Sequence, residues 1–175
     1  MNNLKLKSER LFIIPLSIDQ VGLLIDNINA FEDKLNLVYK GESLNGHLLD
    51  VIKWQHKKMQ TEPENYLWRT LWIFVLKSNK TIIGSAGFKG APDSCGSVEI
   101  GYGINEAYQS RGYTSEAVAS ICTWARSQDE VNIIFAETDK NHTASQRVLE
   151  KCGFNICEKR IETLLWRIGA QQTPC

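Results

Sequence analysis

One strand–turn–helix run constrains this chain more than anything else in it. Val98, Ile100, Tyr102 and Ile104 fall at alternate positions of Val98–Ile104, the period of a strand with one face against a core. Ala117, Val118, Ile121, Cys122 and Ala125 then recur at the spacing of a buried helix face. Between them lies Tyr108-Gln-Ser-Arg-Gly-Tyr-Thr-Ser-Glu-Ala117, a short turn with Gly112 at its centre. A helix beginning there leaves first-turn N–H groups without intrahelical partners, at the positive end of its dipole. Such a turn suits a phosphate or pyrophosphate. Arg111 adds a cation, and Gly112 lacks the Cβ that would keep an anion away. The competing reading is an ordinary connection that happens to contain a glycine.

The rest of the chain alternates strands and helices. Ser8–Leu16 reads as a first strand stopped near Pro15. Ser17-Ile-Asp-Gln20 fits a capping box, followed by a helical stripe of Val21, Leu24, Ile25 and Ile28. Residues 31 to 65 are less regular, with a helix suggested by Leu48, Leu49, Ile52 and Met59 behind Gly41 and Gly46. Leu71–Leu76 is a continuous apolar run and reads as a central strand. Ser78-Asn79-Lys80 turns it into a paired strand, Thr81–Phe88, and Gly90–Gly96 is a polar loop. Asn132–Glu137 is a further strand. Ala144, Val148, Leu149 and Cys152 make a last helical stripe, with Gly153 where a C-capping glycine belongs. Phe154–Cys157 and Ile161–Ile168 finish as a strand pair. One domain over residues 1–168 with a frayed tail at 169–175 is expected, and 175 residues suffice for a single core.

Two motifs give the chain a family resemblance. Gln109-x-x-Gly112-x-Thr114, continued by Ser115-Glu116-Ala117, resembles the Gln/Arg-x-x-Gly-x-Gly/Ala signature of the GNAT acetyltransferases, with Thr114 in place of the usual Gly or Ala. Ser145-Gln-Arg-Val-Leu-Glu-Lys-Cys-Gly-Phe154 resembles the family's Ser-x-x-Val-Leu-Glu-Lys-x-Gly-Phe. The opening Glu9-Arg10-Leu11 strand before a Ser-capped helix resembles the branch containing the ribosomal-protein N-terminal (alanine/serine) acetyltransferases. The resemblance covers nearly the whole chain. It implies a mixed α/β fold: a mostly antiparallel twisted sheet of six to seven strands, splayed between the fourth and fifth, with helices on both faces.

It also implies chemistry. In this family the glycine loop holds the pyrophosphate of acetyl-CoA, and the splay admits the pantetheine arm. Carried onto this sequence, the cofactor-binding set is Tyr102, Gly103 and Ile104 on the strand, Gln109, Ser110, Arg111, Gly112, Tyr113, Thr114 and Ser115 in the loop, and Asn141, His142 and Ser145 at the later helix. His142 occupies the slot where the family usually has asparagine, and Asn141 stands one residue earlier. The family's tyrosine acid position is Leu149 here. Glu137 aligns with a glutamate some members use as base, and Glu99 lies near the position used by others. Either would need a pKa raised by partial burial, and for each the alternative is a strand-edge carboxylate in an ion pair or in solvent. Trp54, His56, Tyr66 and Trp68 fall in the region that borders the acceptor, where they either line a pocket or anchor the helix to the core.

The implied activity is transfer of an acetyl group from acetyl-CoA directly to a primary amine, on a protein N-terminus or a small molecule. The alternative is a catalytically silent acyl-CoA-binding sensor or partner module. Equal numbers of basic and acidic residues, 20 each, argue against a nucleic-acid surface as the main function. A nucleotide site of the Gly-x-x-x-x-Gly-Lys-Ser/Thr kind has no sequence support. Five scattered cysteines and three histidines support neither a disulfide framework nor a metal site, and Cys122 and Cys152 read as small buried hydrophobes. No membrane span or secretory leader is apparent, so a cytoplasmic protein with no membrane partner is expected. The apolar run Ile161–Ile168 would permit a homodimer.

Overall fold

The computed structural model describes residues 4–169. In chain order its elements are β1 (Leu6–Lys7), β2 (Leu11–Pro15), α1 (Ile18–Asp26), α2 (Ile28–Leu35), β3 (Val38–Tyr39), α3 (Gly46–Thr61), α4 (Tyr66–Arg69), β4 (Trp72–Leu76), β5 (Thr81–Phe88), β6 (Ser97–Ile104), α5 (Tyr113–Arg126), β7 (Ile133–Asp139), α6 (Thr143–Lys151), β8 (Asn155–Lys159) and β9 (Thr163–Gly169). The fold is a mixed α/β domain with helices on both faces of one sheet.

Local chemistry accounts for most boundaries. Ser17 and Gln20 form the reciprocal capping box, so α1 starts where expected. It ends earlier than its apolar stripe suggests. Asn27 closes α1 and, with its side chain accepting from the Ala30 N–H, opens α2. Ile28 therefore leaves the α1 stripe and stands 39% exposed. Pro15 closes β2 opposite Trp72, at a strand end where its missing N–H is tolerated. Gly153 takes φ 84 directly after Cys152, the C-cap of α6. Gly169 pairs with Ile133 as the last residue of β9 rather than opening the tail, while residues 170–175 of that tail lie outside the described residues.

The sheet runs β1-β2-β4-β5-β6-β7-β9-β8, with β3 pairing alongside β5, so nine strands stand among the described residues. The excess over six or seven comes largely from β1 and β3, which span two residues each. Pairing is antiparallel except for β3 with β5 and β6 with β7. The β6–β7 ladder holds only Ser97↔Ile133, Val98↔Ile134 and Glu99↔Phe135. Beyond Glu99 the two strands part, which is the expected splay.

Strand β4 is buried along its whole length because it faces two cores. Trp72, Phe74 and Leu76 pack toward α5 and α6, whereas Ile73 and Val75 pack toward α1, α2 and α3. On the first face Trp124 of α5 sits between Trp72 and Trp68, with ring centroids 4.5 and 4.9 Å away. Trp68 is thus an anchor to the core. Trp54 is not, since half of it is exposed, and the Arg69 guanidinium lies 5.6 Å from its ring centroid. Among the described residues, no helix is long and apolar enough to cross a membrane.

Candidate active site

Strand β6 delivers the chain into the glycine turn. Asn105 caps a single 3-10 turn, Glu106–Tyr108, by accepting from the Ala107 N–H. Ser110 (φ 59) and Gly112 (φ 79) both adopt left-handed backbone on either side of Arg111 and curl the loop tightly. Helix α5 starts at Tyr113 with Gly112 as its N-cap, and no side chain caps its first turn. The positive end of a 14-residue helix is left bare, with a glycine in front of it. Behind this turn, Cys152 donates from Sγ to the Ser115 carbonyl at 3.4 Å. Burial pushes the Cys152 thiol up to about 11 and that of Cys122 to about 12, so neither is a ready nucleophile.

The bare helix end opens into a cleft of about 360 Å³. Of the sequence candidates, Tyr102, Gly103, Ile104, Gln109, Ser110, Gly112, Tyr113, Thr114, Ser115, His142 and Ser145 all line it. Tyr102 bonds to Ser145 there, with its hydroxyl 2.8 Å from Ser145 Oγ and 3.1 Å from the Ser145 carbonyl oxygen. That contact joins β6 to α6 across the gap. Burial pushes the Tyr102 phenol up to about 12, so it stays protonated at neutral pH. Arg111 and Asn141 are exposed and do not line the cleft; the Arg111 guanidinium lies 6.0 Å from the Tyr108 ring centroid.

Neither glutamate singled out from sequence lines the cleft. Glu99 pairs with Lys89. Glu137 accepts from the Thr163 hydroxyl at 2.6 Å and from Arg160 at 3.0 Å. These partners, Thr163 first, hold its carboxyl below the ordinary glutamate range, the reverse of the raised value expected of a base. Trp54, His56, Tyr66 and Trp68 do not line the cleft either.

Three charged residues escaped the sequence reading. Arg147 and Lys151 face the cleft from successive turns of α6. Their four-residue spacing was visible inside the second motif and was a usable signal. Glu42 also lines the cleft, from the irregular segment before α3, where no periodicity marks it.

The chain is similar to known proteins over most of its length. A family model described as "Acetyltransferase (GNAT) domain" matches residues 10–155. The chain is 39% identical over 95 residues to an uncharacterized N-acetyltransferase, YjdG, of Bacillus subtilis, a match covering 54% of this chain and 56% of that protein. With a Bacillus licheniformis N-acetyltransferase, p20, matched over 45% of its length, the chain spans about half of the curated relatives it resembles. Among solved structures it is similar to a ribosomal-protein-S5-alanine acetyltransferase of Vibrio fischeri, at 15% identity and TM-score 0.66, covering 98% of this chain and 100% of that one. It is similar also to a ribosomal L7/L12 α-N-protein acetyltransferase solved with coenzyme A, at 12% identity and TM-score 0.65, covering 95% and 98%. The matched length and the shared architecture place the chain among its relatives: it belongs to the GNAT acetyltransferase family.

Proposed function

We propose that this protein transfers an acetyl group from acetyl-CoA directly to a primary amine, either a protein N-terminus or a small-molecule amine. The observation that carries this reading is the bare N-terminus of α5 opening, past Gly112, into a cleft that continues along Tyr102–Ile104 to the gap between β6 and β7. A diphosphate suits the first part, with Arg147 and Lys151 supplying positive charge at its side. An extended amide-bearing chain suits the second, because β6 beyond Glu99 has no neighbour on its β7 side. The coenzyme A carried by one structural relative supports the same reading. When bound, acetyl-CoA would supply the activated acetyl group. The residues of this chain would bind it, orient it, and hold its carbonyl toward backbone N–H groups of β6.

The competing reading, an acyl-CoA-binding module without turnover, draws on the engagement of Glu99 and Glu137 in ion pairs outside the cleft. Two measurements separate them. A ligand bound only by the folded state at a hundred times its Kd adds about 2.7 kcal/mol to stability. Acetyl-CoA should therefore raise the thermal midpoint of the wild type and leave Gly112→Asp unmoved. Release of CoA thiol in the presence of amines then decides for transfer, and its absence for binding alone. No shift in the wild type would overturn both readings.

A further inference from the structure

Glu42 reaches the cleft because its segment is folded back over the end of β6. The Tyr39 hydroxyl donates to the Glu42 carbonyl at 2.9 Å, the Lys40 N–H donates to the Ile82 carbonyl at 2.8 Å, and Asn105 Nδ2 donates to the Gly41 carbonyl at 3.2 Å. The carboxylate then lies directly on Gly103, where any Cβ would collide with it. Gly103 sits on the stretch of β6 that has parted from β7. A glycine here therefore leaves room for a carboxylate beside the gap that the acyl group would enter.

The carboxylate is also unspent. Glu99 and Glu137 each hold a cation, but the Glu42 carboxylate makes no salt bridge and accepts no hydrogen bond among the described residues, and burial alone lifts its pKa. A half-buried acid with no partner costs stability, and a cationic ligand would offset that cost. The titratable groups that share its cleft are His142, Arg147 and Lys151 at α6, Tyr102 on β6, Tyr108 in the 3-10 turn and Tyr113 on α5, with Tyr39 behind its loop. None of them is bonded to its carboxylate; Tyr39 donates to the backbone carbonyl of Glu42 instead.

We propose that Glu42 receives the ammonium group of the acceptor beside Gly103 and accepts the proton that the amine must lose before attack, a role that rests on the transferase reading above. The ammonium gives one proton to the Glu42 carboxylate. The freed lone pair forms the C–N bond at the thioester carbonyl, the C–S bond breaks, and the departing thiolate takes the second proton from nitrogen. The products are the amide and CoA thiol, and Glu42 returns its proton to solvent through the open side of the cleft.

The test is steady-state transfer to three probes, an Ala-first hexapeptide, a Ser-first hexapeptide and spermidine, by the wild type, Glu42→Gln and Glu42→Asp. Glu42→Gln should lower kcat/KM by about a hundredfold or more and abolish the acidic limb of the pH–rate profile. Glu42→Asp should retain part of the rate and that limb. The upward thermal shift with acetyl-CoA should be the same in all three proteins. Wild-type kcat/KM with an intact acidic limb in Glu42→Gln would overturn this assignment alone. Loss of the acetyl-CoA shift in Glu42→Gln would also overturn it, by making Glu42 a cofactor-binding residue. A wild type that acetylates none of the probes would overturn the transferase reading together with this one.

Discussion

Arg10, just before β2, grips Glu116 in the first turn of α5: its backbone N–H donates to Glu116 Oε1 at 2.6 Å and its guanidinium reaches Oε2 at 2.8 Å. The same guanidinium donates to the Arg111 carbonyl at 2.9 Å and lies 4.4 Å from the Tyr113 ring centroid. One arginine from the opening of the chain thus fixes the carbonyl, the ring and the helix end that frame the glycine turn. Burial pushes the Glu116 carboxyl up, but the Arg10 N–H, the Ser8 side chain and the Arg10 charge outweigh it, and the net shift is downward.

Breaking this grip should loosen both the fold and the glycine turn. Glu116→Gln is expected to cost about 1–2 kcal/mol, because a charge-assisted bond at a partly exposed site is lost. In a domain of this size that is a fall of a few degrees in Tm. A carboxyl held low when folded contributes above its unfolded pKa, and its contribution fades as pH falls through the folded value. The gap between wild-type and Glu116→Gln midpoints should therefore close below about pH 4.5, the ordinary glutamate value. Thermal melts across pH 3 to 7 check it.

Gly84→Ala should destabilise the sheet beside the cleft. A Cβ at Gly84 would meet the Gly103 carbonyl and come within 2.9 Å of Ile104 Cα, both backbone atoms that cannot swing aside. We expect a loss of about 2 kcal/mol or more in urea unfolding, with weaker acetyl-CoA binding because β6 shifts. Gly101→Ala is the control. A Cβ there meets nothing within 4 Å, and stability should hardly change.

Tyr102→Phe removes the hydroxyl that joins β6 to α6. A loss of about 1 kcal/mol is expected, since the Ser145 groups left behind are only partly shielded from water. Because burial raises the phenol to about 12, its contribution is complete below pH 10 and is lost as pH rises toward that value. Denaturant melts at pH 7 should show the full difference between the two proteins, and melts above pH 10 a smaller one.

Arg147→Glu and Lys151→Glu should each weaken acetyl-CoA about tenfold at low salt, with the deficit shrinking as ionic strength rises. Their folding should be unaffected, because neither residue enters the salt bridges among the described residues. Calorimetric titration at 20 mM and 300 mM salt separates this from a steric effect, which salt would not relieve.

The parts of the site that depend on local chemistry were legible in the sequence. The alternation of β6, the left-handed glycine before α5 and the stripe of α6 each arise from neighbours along the chain, so their periodicity and spelling are enough. Glu42 depends instead on a segment that loops across β5 and β6, and no local pattern predicts which carboxylate such a loop delivers. Glu137 misled for a related reason. Its place on β7 was clear, but Thr163, which opens the paired strand β9, and Arg160, in the turn before it, are distant in the chain and reach Glu137 only through the fold. Asn27 hid α2 in another way, because one residue that both ends and begins a helix leaves the apolar stripe almost unbroken.

The parting of β6 from β7 has a meaning for solubility as well as for binding. A row of unpaired backbone groups at the rim of a sheet is an invitation to any passing strand, and proteins blunt such rims with charge or cover. Here the row lies in the middle of the sheet, walled by α5 and α6 on one face and by the Glu42 loop on the other. The open seam is thereby screened from edge-to-edge pairing with another sheet, although its own strands have parted.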